Sequence, residues 1–205
     1  MTFIERLKDK YDANEPIFTE EILKTFRDYS RAFVFRLIKD AENAGELVKF
    51  SKGVYYLPRK TFYGVSTITA DSVIERKYLR QNDDVFGVYG GLKLLNAFSV
   101  TTQVPNVIEV VTNNETTRCR EITLDGRRFV LRRSRVKIDK ANANAYTVLQ
   151  LFSDLDRDAE LSDFAKRRLR DYLTEKRIPR DQLLSLAMDF PARTLKKLIG
   201  SGVLA

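Results

Sequence analysis

The chain has 205 residues, 43% of them hydrophobic and 31% charged, so it carries enough apolar material for one or two globular cores and is not expected to be disordered. One cysteine and no histidine exclude an internal disulfide and argue against zinc sites and Ser-His-Asp catalysis. The formal net charge of +8 favours polyanionic partners, and the short apolar runs predict a cytoplasmic chain with no transmembrane helix and no secretory signal.

Three helices are predicted in the first part of the chain. Thr2 opens the capping-box pattern "TFIE", and the first helix is expected to run to about Tyr11. Thr19 is expected to cap a short second helix. Ser30 is expected to cap a third helix that ends near Gly45. The apolar stripe of this third helix consists of Val34, Leu37, Ile38 and Ala41.

A two-stranded hairpin follows in "ELVKFSKGVYYLP", where the glycine of "SKG" supplies the backbone freedom that a tight connection needs. Pro58 closes the second strand. Helix, short helix, helix and hairpin within about sixty residues is the order of a winged helix-turn-helix. We therefore assign residues 1–60 to such a domain.

The outer face of the third helix is predicted to enter the major groove of DNA, and the hairpin to contact phosphates. The candidate DNA-binding residues are Ser30, Arg31, Ala32, Phe35, Arg36, Lys39, Lys49 and Lys52. The alternative is a dimerisation or protein-docking module, because Asp40 and Glu42 leave this helix only weakly basic.

Residues 61–205 are predicted to form a mixed α/β domain, with a sheet part over about 61–140 and a helical tail over about 141–205. A helix is expected over Ala70–Leu79, and a second from the Gly90–Gly91 break to about Phe98. The diglycine fits either a tight turn or a phosphate-binding helix start, and the tight turn is favoured because no P-loop Lys-Ser/Thr follows.

Strands are predicted at 106–113, 118–124 and 127–138, with a hairpin turn at Asp125–Gly126, and they are expected to form a small antiparallel sheet. Thr117–Lys140 carries nine basic and three acidic side chains. The last strand is expected to be a solvated edge strand, a second nucleic-acid surface or a surface for an acidic partner. Its candidate residues are Arg128, Arg132, Arg133, Arg135 and Lys137.

Four helices are predicted in the tail, over Asn142–Ser153, Ser162–Glu175, Asp181–Asp189 and from Pro191 to Gly200. The segment "DLDRDAE" places Asp154, Asp156 and Asp158 at alternate positions, which resembles the start of a calcium loop but lacks its glycine and final glutamate. Nucleotidyltransferases also use alternating aspartates, but behind a Gly-Ser turn that is missing here. A loop with a capping role is the better interpretation, and we expect no enzymatic activity, no cofactor and no metal site.

Long ordered blocks of the chain resemble the AbiEi-type antitoxins of bacterial type IV toxin-antitoxin systems, which act in phage defence by abortive infection. The resemblance covers about Phe3 to Ile138 and is weaker over the helical tail. It is carried by "NEPIFTEEI", "YSRAFVFRLIKDAENAGELVKFSKGVYYLP", "YGGLKLLNAFSVTTQVPNVIEVVTNNETTRCREI" and "LRRSRVKI".

This resemblance implies a DNA-binding autorepressor whose winged helix binds inverted repeats in its own promoter. It also implies that the C-terminal domain counteracts a cognate nucleotidyltransferase-type toxin, without a stable complex being required. For the toxin-directed role we select the basic residues of the last strand for their charge density. The alternative is a non-catalytic interaction module that uses the winged helix and the basic strand to dock an acidic partner.

Overall fold

The structure, a computed structural model, describes residues 1–62, 64–156 and 159–204. It is a mixed α+β protein, as predicted, and it divides into two compact units, Met1–Arg76 and Lys77–Ala205. The segment 1–60 that the sequence assigns to the N-terminal domain therefore lies within the first unit. Within the described ranges, no helix is both long and apolar enough to cross a bilayer.

Unit 1 contains, in chain order, α1 (Phe3–Lys8), β1 (Ile17–Phe18), α2 (Thr19–Thr25), α3 (Arg31–Asn43), β2 (Val48–Ser51), β3 (Val54–Tyr56), β4 (Lys60–Thr61), β5 (Gly64–Val65) and α4 (Ala70–Ile74). A π-helical turn over Glu75–Leu79 continues α4. The strands form a three-stranded antiparallel sheet in the order β1-β3-β2 and a small β4-β5 hairpin.

The helix starts of unit 1 are set by local hydrogen bonds. The Oγ1 atom of Thr2 accepts from the backbone N–H of Glu5, and the Glu5 carboxylate accepts from the N–H of Thr2, which confirms the predicted capping box. The prediction that Thr19 caps α2 is wrong by one residue, because Phe18 is the N-cap. Phe18 closes the short strand β1, so pairing with β3 extends the backbone up to the helix start. The first helix ends at Lys8, earlier than predicted.

The core of unit 1 lies between the helices and the three-stranded sheet. Val34, Ile38 and Ala41 of α3 are buried in it, as predicted from their spacing, while Leu37 is half-buried. The other core residues include Ile4, Leu7, Ile17, Ile22, Phe26, Leu47 and Tyr55. Arg76 adds polar contacts, since its Nε lies 2.9 Å from the Glu15 carboxylate and its Nη1 lies 3.1 Å from the Glu21 carboxylate. These contacts fix the end of unit 1 to the loop before β1 and to the first turn of α2.

Unit 2 contains β6 (Arg80–Gln81), β7 (Asp84–Val85), β8 (Gly87–Gly90), α5 (Gly91–Ala97), β9 (Val107–Thr112), β10 (Cys119–Leu124), β11 (Arg127–Arg133), α6 (Ala143–Asp154), α7 (Asp163–Glu175), α8 (Arg180–Ala187) and α9 (Ala192–Gly200). The predicted helices of the tail are therefore present. They belong to the main core of the unit, where Tyr146, Leu149 and Phe152 of α6 are almost fully buried.

The main sheet of unit 2 is mixed, which corrects the predicted antiparallel arrangement for one pair of strands. Its order is β10-β11-β9-β8, and β11 is parallel to β9 whereas its other neighbour, β10, is antiparallel. The hairpin at Asp125–Gly126 pairs β11 with β10. The other edge of β11 pairs with β9, so β11 lies between the two strands. The edge-strand alternative is therefore wrong, and β10 occupies the edge instead. The strand also ends at Arg133 rather than at Ile138.

Candidate functional site

The outward face of α3 carries the residues that the sequence selected for DNA contact. The Oγ atom of Ser30 accepts from the N–H of Phe33 at 3.3 Å and starts the helix. Burial of the apolar stripe on one side turns the opposite side to solvent. The residues that lie exposed there are Arg31, Ala32, Phe35, Arg36 and Lys39, and Ser30 is exposed beside them.

Aromatic rings hold the two arginine side chains of this face. The Arg36 guanidinium lies 4.8 Å from the centre of the Phe33 ring, and that of Arg31 lies 5.7 Å from the centre of the Phe35 ring. The ring of Phe33 is itself 5.1 Å from that of Tyr29. Cation–π contact limits the rotamers of a guanidinium while leaving its N–H donors available. The arginines are thus oriented without being neutralised.

None of the cations on α3 or the hairpin forms an ion pair with any residue in the described ranges. The five cations in question are Arg31, Arg36, Lys39, Lys49 and Lys52. Asp40 is exposed on the same helix but does not pair with them. Exposed cations without an internal partner attract a polyanion, since no internal carboxylate has to be displaced.

The hairpin β2-β3 presents its two lysines to solvent. Lys49 lies in β2, where the register shifts between Lys49 and Ser51, and Lys52 lies in the turn. Gly53 has a φ of +77°, which a glycine adopts without strain. Its carbonyl accepts from the N–H of Thr19 at 3.0 Å, so the turn is tied to the start of α2.

A cavity of about 230 Å³ opens in unit 2 beside the ends of β9 and β11. It is lined by Val111, Arg118, Arg132, Arg133, Arg135, Tyr146, Gln150, Ser153, Asp154 and Arg193. Five of these residues are arginines, and they come from β11, from the segments flanking β10 and β11, and from α9. The cavity is therefore a concave and strongly basic surface.

The segment after β11 that carries Arg135 is fixed by hydrogen bonds. The Asn113 side chain accepts from the hydroxyl of Ser134 and the N–H of Ile138, and it donates to the carbonyl of Ile138. The N–H of Arg135 donates to the buried hydroxyl of Tyr146 at 3.0 Å. The backbone that carries this guanidinium is consequently well defined.

The structure brings together three of the five basic residues predicted for the last strand. Arg132, Arg133 and Arg135 line the cavity. Arg128 does not, because its Nε lies 2.6 Å from the Glu121 carboxylate across the β10-β11 pair. Lys137 is exposed and lies outside the lining.

Two arginines of the cavity were missed from the sequence. Arg118 could have been found by extending the register of the Asp125–Gly126 hairpin, which places it opposite Arg133; the N–H of Arg133 indeed donates to the carbonyl of Arg118. Arg193 carries no such local signal, because α9 reaches the cavity only through the packing of unit 2.

Asp154 lies at the end of α6, on the wall of this cavity. Its Oδ2 accepts from the N–H of Gly91 at 2.7 Å, and its Oδ1 accepts from the Gln150 amide at 2.8 Å. Burial raises the pKa of this carboxyl, although these two hydrogen bonds oppose the shift. Asp154 therefore supports the first turn of α5, which agrees with the capping role predicted for its segment.

The sequence left two less favoured interpretations, a metal site at the alternating aspartates and a phosphate-binding helix start at the diglycine. These contacts support neither of them. The described residues contain no cluster of three metal-ligating side chains; Asp156 is exposed, and Asp158 lies outside the described residues. The N–H of Gly91 is already bonded to Asp154, and a Cβ at Gly91 would lie 2.7 Å from Glu109. The diglycine is therefore a close-packed turn, as favoured from the sequence.

The sequence matches no protein-family model and no curated protein. The resemblance to AbiEi-type antitoxins accordingly stays a prediction.

Proposed function

We propose that the protein is an antitoxin and a DNA-binding transcriptional autorepressor of a toxin-antitoxin operon. In this proposal unit 1 is a winged helix-turn-helix that binds inverted repeats in the operon's own promoter. The element order α1-β1-α2-α3-β2-β3, with the sheet order β1-β3-β2, supports that assignment.

The observation that carries the DNA-binding half is the set of unpaired cations on the exposed face of α3. This helix has 13 residues and is therefore about 20 Å long, and the major groove, about 12 Å wide, admits a helix of that kind. Arg36 and Lys39 would reach base edges or phosphates. Lys49 and Lys52 on the hairpin would clamp the backbone, which orients a protein on DNA without reading its sequence.

Arg36 provides the first test, by fluorescence anisotropy with DNA taken from upstream of the protein's own reading frame. Arg36→Ala is expected to weaken binding by about 1–3 kcal/mol if the guanidinium makes a bidentate contact to guanine. Lys8→Ala, which removes one exposed charge from α1, is the matched control and should have a smaller effect. Unchanged affinity of the Arg36 variant for the palindromic site would remove this assignment.

The antitoxin half of the proposal concerns unit 2 and rests on the resemblance together with the basic cavity. Arg132, Arg133 and Arg135 would act against a cognate nucleotidyltransferase-type toxin. Co-expression tests this: the wild-type chain should restore growth of cells that produce the toxin, and replacing all three arginines with Gln should abolish rescue. Arg167→Gln, an exposed charge on α7, is the control. Full rescue by the triple variant at equal protein level would contradict the proposal.

A second candidate is a protein-interaction module that docks an acidic partner. It is favoured by two large aromatic side chains near the face of α3, Tyr29 and Phe35, which are 48% and 40% exposed. Exposed aromatic residues are enriched in protein interfaces. Absence of any salt-dependent DNA retention by the wild-type chain would favour this candidate over the repressor.

A further inference from the structure

The cavity of unit 2 has a large excess of positive charge. Among the lining residues that the structure describes, five carry a guanidinium group and one, Asp154, carries a carboxylate. Both oxygens of that carboxylate already accept internal hydrogen bonds, from Gly91 and from Gln150. The hydrogen bonds of the Asp154 carboxylate therefore go to the start of α5 and to α6, and not to the arginines.

Only one of the five arginines has an ion-pair partner among the described residues. The Nε of Arg132 lies 2.8 Å from Glu109, which is on the neighbouring strand β9. Arg118, Arg133, Arg135 and Arg193 form no ion pair in the described part of the chain. Like charges held together repel one another, so an anion that enters the cavity lowers the energy of the folded chain.

The dimensions and chemistry of the cavity define the anion. Its volume of about 230 Å³ is smaller than the roughly 300–1,000 Å³ of pockets that enclose a drug-sized ligand. Guanidinium forks match phosphate oxygens bidentately. Tyr146 is the aromatic residue of the described lining, and it is buried and accepts from the N–H of Arg135, so it offers no face on which a base could stack.

We propose that this cavity binds the polyphosphate chain of a small phosphorylated ligand, such as a nucleoside triphosphate, with the nucleoside left outside. This inference goes beyond the proposed function and does not depend on DNA binding or on a toxin. Promoter DNA and growth rescue test the proposed function, whereas polyphosphate binding tests this inference, so one can fail without the other.

Isothermal titration calorimetry of the full chain, in about 150 mM NaCl to screen weak surface attraction, tests the inference. Inorganic tripolyphosphate and ATP should both bind with dissociation constants below about 1 mM. Adenosine should not bind. Tripolyphosphate should also raise the midpoint of thermal unfolding, because it binds the folded state.

Variants locate the binding to the cavity. Combined replacement of Arg133 and Arg193 with Gln should weaken tripolyphosphate binding at least about tenfold. Arg167→Gln removes an exposed arginine outside the cavity and should leave binding unchanged. Arg133→Lys keeps the charge but loses the planar fork, and an intermediate affinity is expected. All three side chains are exposed in the wild type, so circular dichroism should show retained folding.

Three results would overturn the inference. The first is no detectable binding of tripolyphosphate or ATP to the wild-type chain. The second is an equal loss of affinity in the Arg167 variant, which would mean diffuse attraction to the whole basic surface. The third is binding of duplex DNA that the Arg133 and Arg193 replacements abolish while tripolyphosphate fails to bind, since the arginines would then belong to a nucleic-acid surface.

Discussion

Glu115 is the one charged residue that is buried in the described part of the chain, at 3% exposure. Its carboxylate accepts from the N–H and the hydroxyl of Thr117, at 3.0 and 2.8 Å, and from Arg120 at 3.0 Å. Burial alone would raise its pKa, but these hydrogen bonds and the Arg120 charge outweigh it, and the pKa is lowered. The Thr117 and Arg120 contacts hold the connection that leads into β10.

The lowered pKa of Glu115 predicts how its contribution to the stability of the fold depends on pH. When the pKa of a carboxyl is lower in the folded than in the unfolded state, the ionised carboxyl stabilises the fold at pH values above the unfolded-state pKa. This contribution is lost as the pH falls through the folded-state pKa. Glu115→Gln should therefore cost about 1–3 kcal/mol at pH 7.

Urea denaturation of wild type and variant at several pH values measures this cost. The difference between the two proteins should shrink as the pH drops below the ordinary glutamate pKa of 4.5. Glu160→Gln is a suitable control, because Glu160 is exposed and forms no ion pair with any residue that the structure describes. A difference that stays constant down to acidic pH would contradict the assigned ion pair.

At the scale of elements, the hairpin β2-β3 and the helix α3 are expected to contribute differently to DNA binding. Lys52 lies exposed in the hairpin turn, which the Thr19 to Gly53 hydrogen bond ties to α2. A cation held in this way suits contact with a phosphate, which carries no sequence information.

Lys52→Ala should therefore weaken binding to promoter and unrelated DNA alike. The slope of log affinity against log salt concentration should fall by about one unit, because one phosphate contact and its counterion release are lost. Anisotropy titrations at several salt concentrations on both DNA sequences measure this. A loss confined to the promoter sequence would instead make Lys52 a base-reading residue.

At the scale of the whole molecule, the division at Arg76 predicts separable activities. Unit 1 has its own apolar core and its own three-stranded sheet. A fragment of residues 1–76 should thus fold, as judged by circular dichroism, and should bind the promoter in a salt-dependent way. The matched fragment of residues 77–205 should show no preference for that sequence. Sequence-selective binding by the second fragment would place the DNA-reading surface in unit 2.

Local signals in the sequence determined much of unit 1. The cap at Ser30, the apolar spacing of Val34, Ile38 and Ala41 and the glycine in "SKG" predicted α3 and the hairpin, and the structure confirms both elements. Such signals act over a few residues, through hydrogen bonds to the next turn and through side-chain periodicity. The same signals placed α4, α5 and the tail helices to within a few residues.

Only the tertiary structure decided where the basic strand lies and which arginines meet there. Strand periodicity fixes which residues of β11 share a face, but it does not select the neighbouring strand. Parallel pairing with β9 buries Phe129 and Leu131 completely and makes β11 a central strand. Packing of α6 and α9 in the core of the same unit then brings Arg193 to a cavity shared with Arg133. These contacts join residues distant in sequence, whose pairing depends on how the whole core is filled, and no local pattern encodes that.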